Sequence, residues 1–181
     1  ANAAIMNFNM FGVPFTGSDV CGTYGDAADD HEEMCGRWMQ LAAFYPFARQ
    51  FDEEGGFEPY NMQDDKFKTM ATESLKERLR YSRQLYTCLF EAQDRGETCF
   101  DPLLFHYPTD DKAFEKTEES FIFANSLKIT TVLEAGAETV KSYFPKGDWL
   151  SMKDYSVVSS KGEEQDVPTQ DDVAIQHLMP G

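Results

Sequence analysis

The chain has 181 residues, with 16 Lys and Arg against 32 Asp and Glu, and a formal net charge of −16 at pH 7. A field of this sign repels phosphate backbones and anionic headgroups, which disfavours nucleic acid and membrane surfaces as partners. The 15 Phe, 8 Tyr and 2 Trp argue against a disordered chain. No apolar run reaches the roughly 18 residues of a membrane span.

The first third of the chain alternates between strand and helix signals. The stretch "IMNFNMFGVPFTGSD" predicts the end of a helix, then a buried strand near residues 13–16, then a loop. The stretch "DDHEEMCGRWMQLAAFYPF" predicts a helix that its proline ends, followed by a short strand. Four apolar residues of this helix recur at helical spacing, and they are Cys35, Trp38, Met39 and Ala42.

A long helix is predicted over about residues 65–95, with Gly96 as its C-terminal cap. Its predicted apolar face consists of Phe67, Ala71, Leu75, Leu79, Tyr86 and Leu89. Strands that alternate with helices in this order are typical of α/β units with a parallel sheet.

After Gly96 the pattern changes to short β-type runs that turns separate. This change predicts a second unit, mostly β, from about residue 97. The polar stretch "KDYSVVSSKGEEQDVPTQDD", residues 153–172, predicts a long loop.

Five strings resemble one family in the order in which they occur. They are "GVPFTGSDVCG", "CGRWMQLAAFYPFAR", "LRYSRQLYTCLFEAQDRGET", "SLKITTVLEAGAETVKSYFPKGDW" and "IQHLMPG". They are similar to α-glucosidases of glycoside hydrolase family 31, especially the lysosomal and intestinal maltase branch. The resemblance covers nearly the whole chain.

The resemblance implies an α/β fold that is a piece of a larger enzyme. Residues 1–96 would form the last two units of a (β/α)8 TIM barrel, and residues 97–181 would begin the β-rich, β-sandwich domain that follows it. The family retains configuration, with a nucleophile and an acid/base carboxylate about 5–5.5 Å apart. Both lie upstream of the position that matches Ala1, so we expect no catalytic residue in this chain.

Three residues match positions that line the family's sugar pocket. Asp19 follows a barrel strand, where it would accept a hydrogen bond from a sugar hydroxyl or orient a neighbouring Arg. The alternative is that Asp19 only caps its own turn. Thr23 stands where the family has an aromatic residue, and the adjacent Tyr24 could take over the role of that residue. Phe51 replaces a sugar-binding His, and it cannot form that hydrogen bond.

The resemblance also implies a disulfide between Cys21 and Cys35, which would indicate an oxidising compartment. The alternative is two reduced cysteines packed as small apolar groups. Cys88 and Cys99 could reach each other, but the resemblance implies no pair there, so no disulfide is expected.

Further matched residues have expected structural roles. Trp38 would pack between helix and barrel, and Arg37 and Arg49 would form ion pairs. Asp101 departs from the family's Arg. The three histidines, His31, His106 and His177, lack metal-ligand spacing. We therefore expect no metal and no cofactor.

The leading hypothesis is therefore a fragment of a retaining α-glucosidase that acts on α-linked glucosides. Its partner would be the remainder of the polypeptide or a companion chain, in the lysosome or another secretory compartment. One alternative is a non-catalytic relative with a structural or carbohydrate-binding role, which Thr23, Phe51 and Asp101 favour. A stand-alone β/α domain is a third, but two barrel units cannot close a sheet.

Overall fold

This computed structural model describes residues 1–22, 31–51, 58–115 and 117–181. In these ranges the helices are α1 (Asn2–Met10), α2 (His31–Ala42), α3 (Asp65–Arg80), α4 (Ser82–Arg95), α5 (Leu103–His106) and α6 (Asp111–Glu115), with a 3-10 turn over Pro59–Asn61. The strands are β1 (Gly17–Asp19), β2 (Phe47–Arg49), β3 (Phe100–Asp101), β4 (Ser120–Phe123), β5 (Leu127–Thr130), β6 (Thr139–Phe144), β7 (Gly147–Ser151), β8 (Val157–Ser160), β9 (Glu163–Pro168) and β10 (Ile175–Leu178).

The first half is built on a parallel pair of strands, β1 and β2, with α2 between them in the chain. The buried strand predicted near residues 13–16 is wrong in position and burial. Val13 is 46% exposed, and its N–H donates to the carbonyl of Phe8 in a turn that ends α1. Gly12 has a φ of 83°, which this turn requires and which glycine adopts without strain.

The predicted long helix is two helices that meet at Tyr81, between α3 and α4. The Tyr81 ring lies 5.5 Å from the ring of Phe44, and its hydroxyl hydrogen-bonds to Gln176 at 3.0 Å. Tertiary packing of this ring therefore accompanies the break. Gly96 ends α4 in the left-handed conformation, with φ 76° and ψ 25°, as predicted.

The predicted apolar face of this helical region is wrong for three of its six residues. Leu75, Leu79 and Tyr86 are 53%, 74% and 76% exposed. Ala71 of the predicted face is buried as expected, and Met70 beside it is buried as well. The buried face lies toward α2, so these three apolar side chains are left at the surface.

The second half is rich in β-strands, as predicted, and the structure shows that these strands are antiparallel. Six strands form one sheet in the order β3-β4-β5-β10-β7-β8, and β6 pairs with β9 in a second sheet. The loop predicted over residues 153–172 is wrong, because β8 and β9 lie within it. Four of the six residues of β9 are polar and only Gln165 and Val167 are half-buried, so this strand carries little apolar signal.

One apolar cluster joins the two halves. Ile5 from α1 and Phe44 after α2 belong to the same cluster as Phe121, Phe123 and Ile129 from the antiparallel sheet. No helix within the described ranges is long and apolar enough to cross a bilayer.

Candidate functional site

The carboxyl ends of β1 and β2 meet at one edge of the parallel sheet. The strands are in register, with Gly17 opposite Phe47 and Asp19 opposite Arg49. Gly17 permits this approach, because a Cβ at that position would lie 1.6 Å from the carbonyl oxygen of Phe47. The strand pairing therefore places an acidic and a basic side chain side by side at the carboxyl ends of both strands.

Asp19 and Arg49 form a two-point ion pair. The Nε of Arg49 donates to Oδ1 of Asp19, and Nη2 donates to Oδ2 at 3.2 Å. The side chains are 31% and 53% exposed, so the pair is open to solvent. Donation of these hydrogen bonds to the Asp19 carboxylate raises the pKa of Arg49 further, so the guanidinium keeps its charge. An exposed pair of this geometry can still receive a polar ligand.

Phe51 contacts this ion pair through the side chain of Arg49. The guanidinium carbon of Arg49 is 5.1 Å from the centre of the Phe51 ring, which is the geometry of a cation–π contact. Phe51 is 53% exposed. The described residues thus bring Asp19, Arg49 and Phe51 together, whereas Thr23 and the neighbouring Tyr24 lie outside the described residues.

A disulfide fixes the segment that follows β1. The structure joins Cys21 to Cys35 on α2, with Cα atoms 4.6 Å apart. Both cysteines are buried, and Cys21 has a φ of 71°, in the left-handed region. The pairing that the resemblance implies is the one that the structure contains, and it ties the end of β1 to α2 two residues after Asp19.

A second disulfide corrects the expectation for the other two cysteines. Cys88 on α4 is joined to Cys99, just before β3. Gly96 reverses the chain after α4 and returns it along the helix, which brings the two Cα atoms within 5.7 Å. Cysteine spacing alone did not reveal this pair, because spacing does not determine connectivity.

The other matched residues have structural contacts. Arg37 is buried, donates to the carbonyl of Gln170 at 2.6 Å and pairs with Glu33 at 3.7 Å. Trp38 packs against the shared core. Asp101 is buried in β3, and its carboxylate accepts a hydrogen bond from His106 at 3.0 Å.

A cavity of about 770 Å³ is lined by residues of β2 and α3 and by Val20, which directly follows β1. Its wall includes Arg49 and Gln50 from the strand region and Arg78 from α3, over an apolar floor that includes Met39 and Ala71. In the part of the chain that is described, no group of three His, Cys, Asp or Glu side chains is placed to hold a metal ion.

Two domain profiles match nearly the whole chain. Residues 1–88 match the glycosyl hydrolases family 31 TIM-barrel domain, and residues 96–180 match the glycosyl hydrolase family 31 C-terminal domain. The chain belongs to glycosyl hydrolase family 31. The predicted family and fold class, the end of a TIM barrel followed by a β-rich domain, are thereby confirmed.

Curated relatives cover the chain over almost its full length. A probable alpha-glucosidase of Oryza sativa subsp. japonica is 34% identical over 179 residues, which are 98% of this chain and 20% of the relative. The lysosomal alpha-glucosidase of Mus musculus is 38% identical over 161 residues, 86% of this chain and 16% of the relative. The chain therefore spans a fifth or less of the length of these relatives.

Solved structures share the fold at lower identity. The cycloalternan-degrading enzyme from Trueperella pyogenes superposes with a TM-score of 0.89 at 17% identity, over 99% of this chain and 26% of that chain. A family 31 alpha-xylosidase from a soil metagenome superposes with a TM-score of 0.85 at 21% identity, over 98% of this chain and 29% of that chain. Both likenesses concern the fold alone.

Proposed function

We propose that this chain is the C-terminal part of the catalytic barrel, and the start of the following β domain, of a retaining α-glucosidase. The substrates would be α-linked glucosides. The nucleophile and the acid/base carboxylate would come from another segment of the same polypeptide or from a companion chain. Relatives called alpha-glucosidases support this substrate class.

The observation that carries the proposal is the Asp19–Arg49 pair. It lies at the carboxyl ends of two parallel strands, the edge where TIM barrels build their active sites. In TIM barrels, residues at the opposite edge serve stability, whereas residues at this edge build the active site. The pair is 31% and 53% exposed, as a group that meets a ligand requires.

The chemistry of the pair suits a sugar ring. The carboxylate of Asp19 accepts hydrogen bonds from hydroxyls, and Arg49 holds it in one orientation while keeping further N–H donors. The exposed ring of Phe51 offers an apolar surface for the C–H face of a sugar, but no hydrogen bond. We propose Asp19 as the polar contact of this subsite, with Phe51 and Thr23 as its neighbours.

The exposed apolar side chains of the first half support a large partner surface. Phe11 and Phe15 are 86% and 61% exposed beside β1, and Leu79 is 74% exposed on α3. The remaining barrel units would cover them across an obligate interface of more than roughly 2,000 Å². Expressed alone, the chain would then be aggregated or loosely packed.

The boundary between the two domains would fall between residues 96 and 97. Support comes from the change to antiparallel strands after Gly96 and from the two profile matches, of which the first ends at residue 88 and the second begins at residue 96.

Disulfides persist in oxidising compartments, and relatives include lysosomal and intestinal enzymes. We infer that the complete protein enters the secretory pathway.

The test is hydrolysis of an aryl α-glucoside by the complete polypeptide, with the 181-residue chain assayed beside it. The complete polypeptide should hydrolyse the substrate, and the chain alone should not. Asp19→Ala should raise KM by about tenfold or more, since a site built around a hydrogen bond leaves a polar group unpaired. Asp94→Ala, an exposed carboxylate on α4, is the matched control.

Two results would contradict the proposal. One is turnover by the chain alone in a preparation free of other polypeptides. The other is a complete, folded polypeptide that binds glucosides without hydrolysing them.

A further inference from the structure

The short connection between α2 and β2 determines where β2 begins. α2 ends at Ala42, residues 43–46 turn the chain, and β2 starts at Phe47. Two turn hydrogen bonds shape the connection, from Phe44 N–H to Leu41 O and from Tyr45 N–H to Ala42 O. Several carbonyls of this corner lack a partner in their own helix, as at the C-terminus of any helix.

Arg78 on α3 reaches this corner with a single guanidinium. Its Nη1 donates to the carbonyls of Ala42, Ala43 and Tyr45 at 3.1, 3.3 and 2.7 Å. Its Nη2 donates to the carbonyl of Pro46 at 3.3 Å. A positive charge at this place also complements the negative end of the α2 dipole.

The pairing of β1 with β2 is too short to fix this corner by itself. Each strand has three residues. At the two ends of the pair, the N–H of Phe47 donates to the carbonyl of Thr16, and the N–H of Val20 donates to the carbonyl of Arg49. Pro46 has no N–H to donate, so the residue directly before β2 can be held by a hydrogen bond only through its carbonyl. Arg49 follows Pro46 by only three residues.

We propose that Arg78 is a positioning residue for the Asp19–Arg49 pair. It clamps the start of β2 against α3. The side chain of Arg49 is thereby held opposite Asp19 in the orientation that the ion pair requires. It does not touch the ligand, because its donors are directed at main-chain carbonyls. The role in sugar binding rests on the proposed function, whereas the clamp on β2 does not.

An arginine suits the task better than a lysine. The planar fork presents its N–H groups in fixed directions, and here they reach four of the five carbonyls of residues 42–46. A lysine at residue 78 has three donors on a flexible stem and would hold fewer of them. Arg83, exposed near the start of α4, provides the matched control.

The experiment compares Arg78→Met, Arg78→Lys and Arg83→Met in the complete polypeptide, well below the melting temperature of each variant. We expect Arg78→Met to raise KM for an aryl α-glucoside about tenfold, because a displaced Arg49 would misalign Asp19 and weaken its hydrogen bond to the sugar. The kcat should change little, Arg78→Lys should be intermediate, and Arg83→Met should match the wild type. A lower melting temperature with unchanged KM would overturn the proposal.

Amide hydrogen exchange provides a readout that does not need activity. The amides of residues 47–49 should exchange faster in Arg78→Met than in the wild type, while those of β5 stay unchanged. If the wild type proves inactive, this result would still support the clamp while the proposed function fails. Exchange that rises equally in β2 and β5, or does not rise at all, would overturn the clamp. If Arg78→Met does not fold, Arg78→Lys carries the same comparison.

Discussion

The parallel sheet of the first half and the large antiparallel sheet of the second half differ in how far the described chain covers them. In the antiparallel sheet, Phe121, Phe123 and Ile129 have no exposed surface. Beside the parallel pair, Phe15 is 61% exposed and Phe47 37% exposed. Within the described ranges β1 and β2 pair only with each other, whereas six strands build the antiparallel sheet.

This difference indicates which part of the chain depends on further polypeptide. A two-stranded parallel sheet leaves both outer edges with unpaired N–H and C=O groups. The cavity of about 770 Å³, which residues of β2 line, adds an open, largely apolar space beside this sheet. The second half has covered its central strands, so we propose that the rest of the barrel docks on the first half.

The largest effect should come from two phenylalanines that are equally exposed in the two halves. Phe8 on α1 is 52% exposed and Phe114 on α6 is 51% exposed. In the complete polypeptide, Phe8→Ala should lower the free energy of unfolding by about 3–5 kcal/mol, because the rest of the barrel buries this ring. Phe114→Ala should cost less than about 0.5 kcal/mol.

Urea unfolding of the two variants beside the wild type measures this contrast. Equal, small losses would show that Phe8 stays at the surface in the complete polypeptide, and the comparison between the halves would lose its meaning.

The second prediction concerns a lysine that is buried inside the antiparallel second half. Lys128 is fully buried, and its Nζ donates to Thr130 at 2.9 Å and to Ser142, above the ring of Phe144. Burial lowers the pKa of Lys128 from 10.5 to about 7, and the charge of Glu119 opposes this shift. His177 lies opposite Lys128 on β10, and burial lowers its pKa to about 4, so it stays neutral near pH 7.

Because the pKa of Lys128 is lower in the folded state, the destabilisation is complete below pH 7 and disappears as the pH rises toward 10.5. Lys128→Met should therefore stabilise the protein by about 1–4 kcal/mol at acidic pH. The gain should shrink as the pH rises above neutrality. Lys141→Met, at an exposed position of β6, should show no such pH dependence in the same unfolding series. A gain that stays constant with pH would refute the assignment.

The smallest effect should come from the Asp19–Arg49 pair when only stability is measured. Both side chains are partly exposed, so solvent screens their attraction. Asp19→Asn should change the free energy of unfolding by less than about 1 kcal/mol. A loss of several kcal/mol would mark the pair as a structural element rather than a ligand-facing one.

The sequence predicted those features that carry a local signal. The apolar stripe of α2 and the glycine at the end of α4 follow from spacing and backbone freedom, and both occur. The break at Tyr81 could not be predicted, because the packing of its ring on Phe44 and its bond to Gln176 depend on distant segments. The strand β9 was missed because its residues are polar, and its pairing with β6 is a long-range fact.

The candidate site was predictable only in part. Asp19 and Phe51 were found through the resemblance, which the profile matches support. The partner of Asp19 follows from strand register, which three-residue strands do not specify in sequence. Arg78 lies in a helix among other charged residues, and nothing in its spacing separates it from Arg80 or Arg83.

The intact mass of the purified native protein tests the central claim most directly. If the chain is the end of a barrel, the native polypeptide or its tight complex should have several times the mass of 181 residues. Native mass spectrometry after purification without reductant would measure it and would keep both disulfides intact. A monomer of 181 residues that unfolds in one cooperative transition would contradict the account.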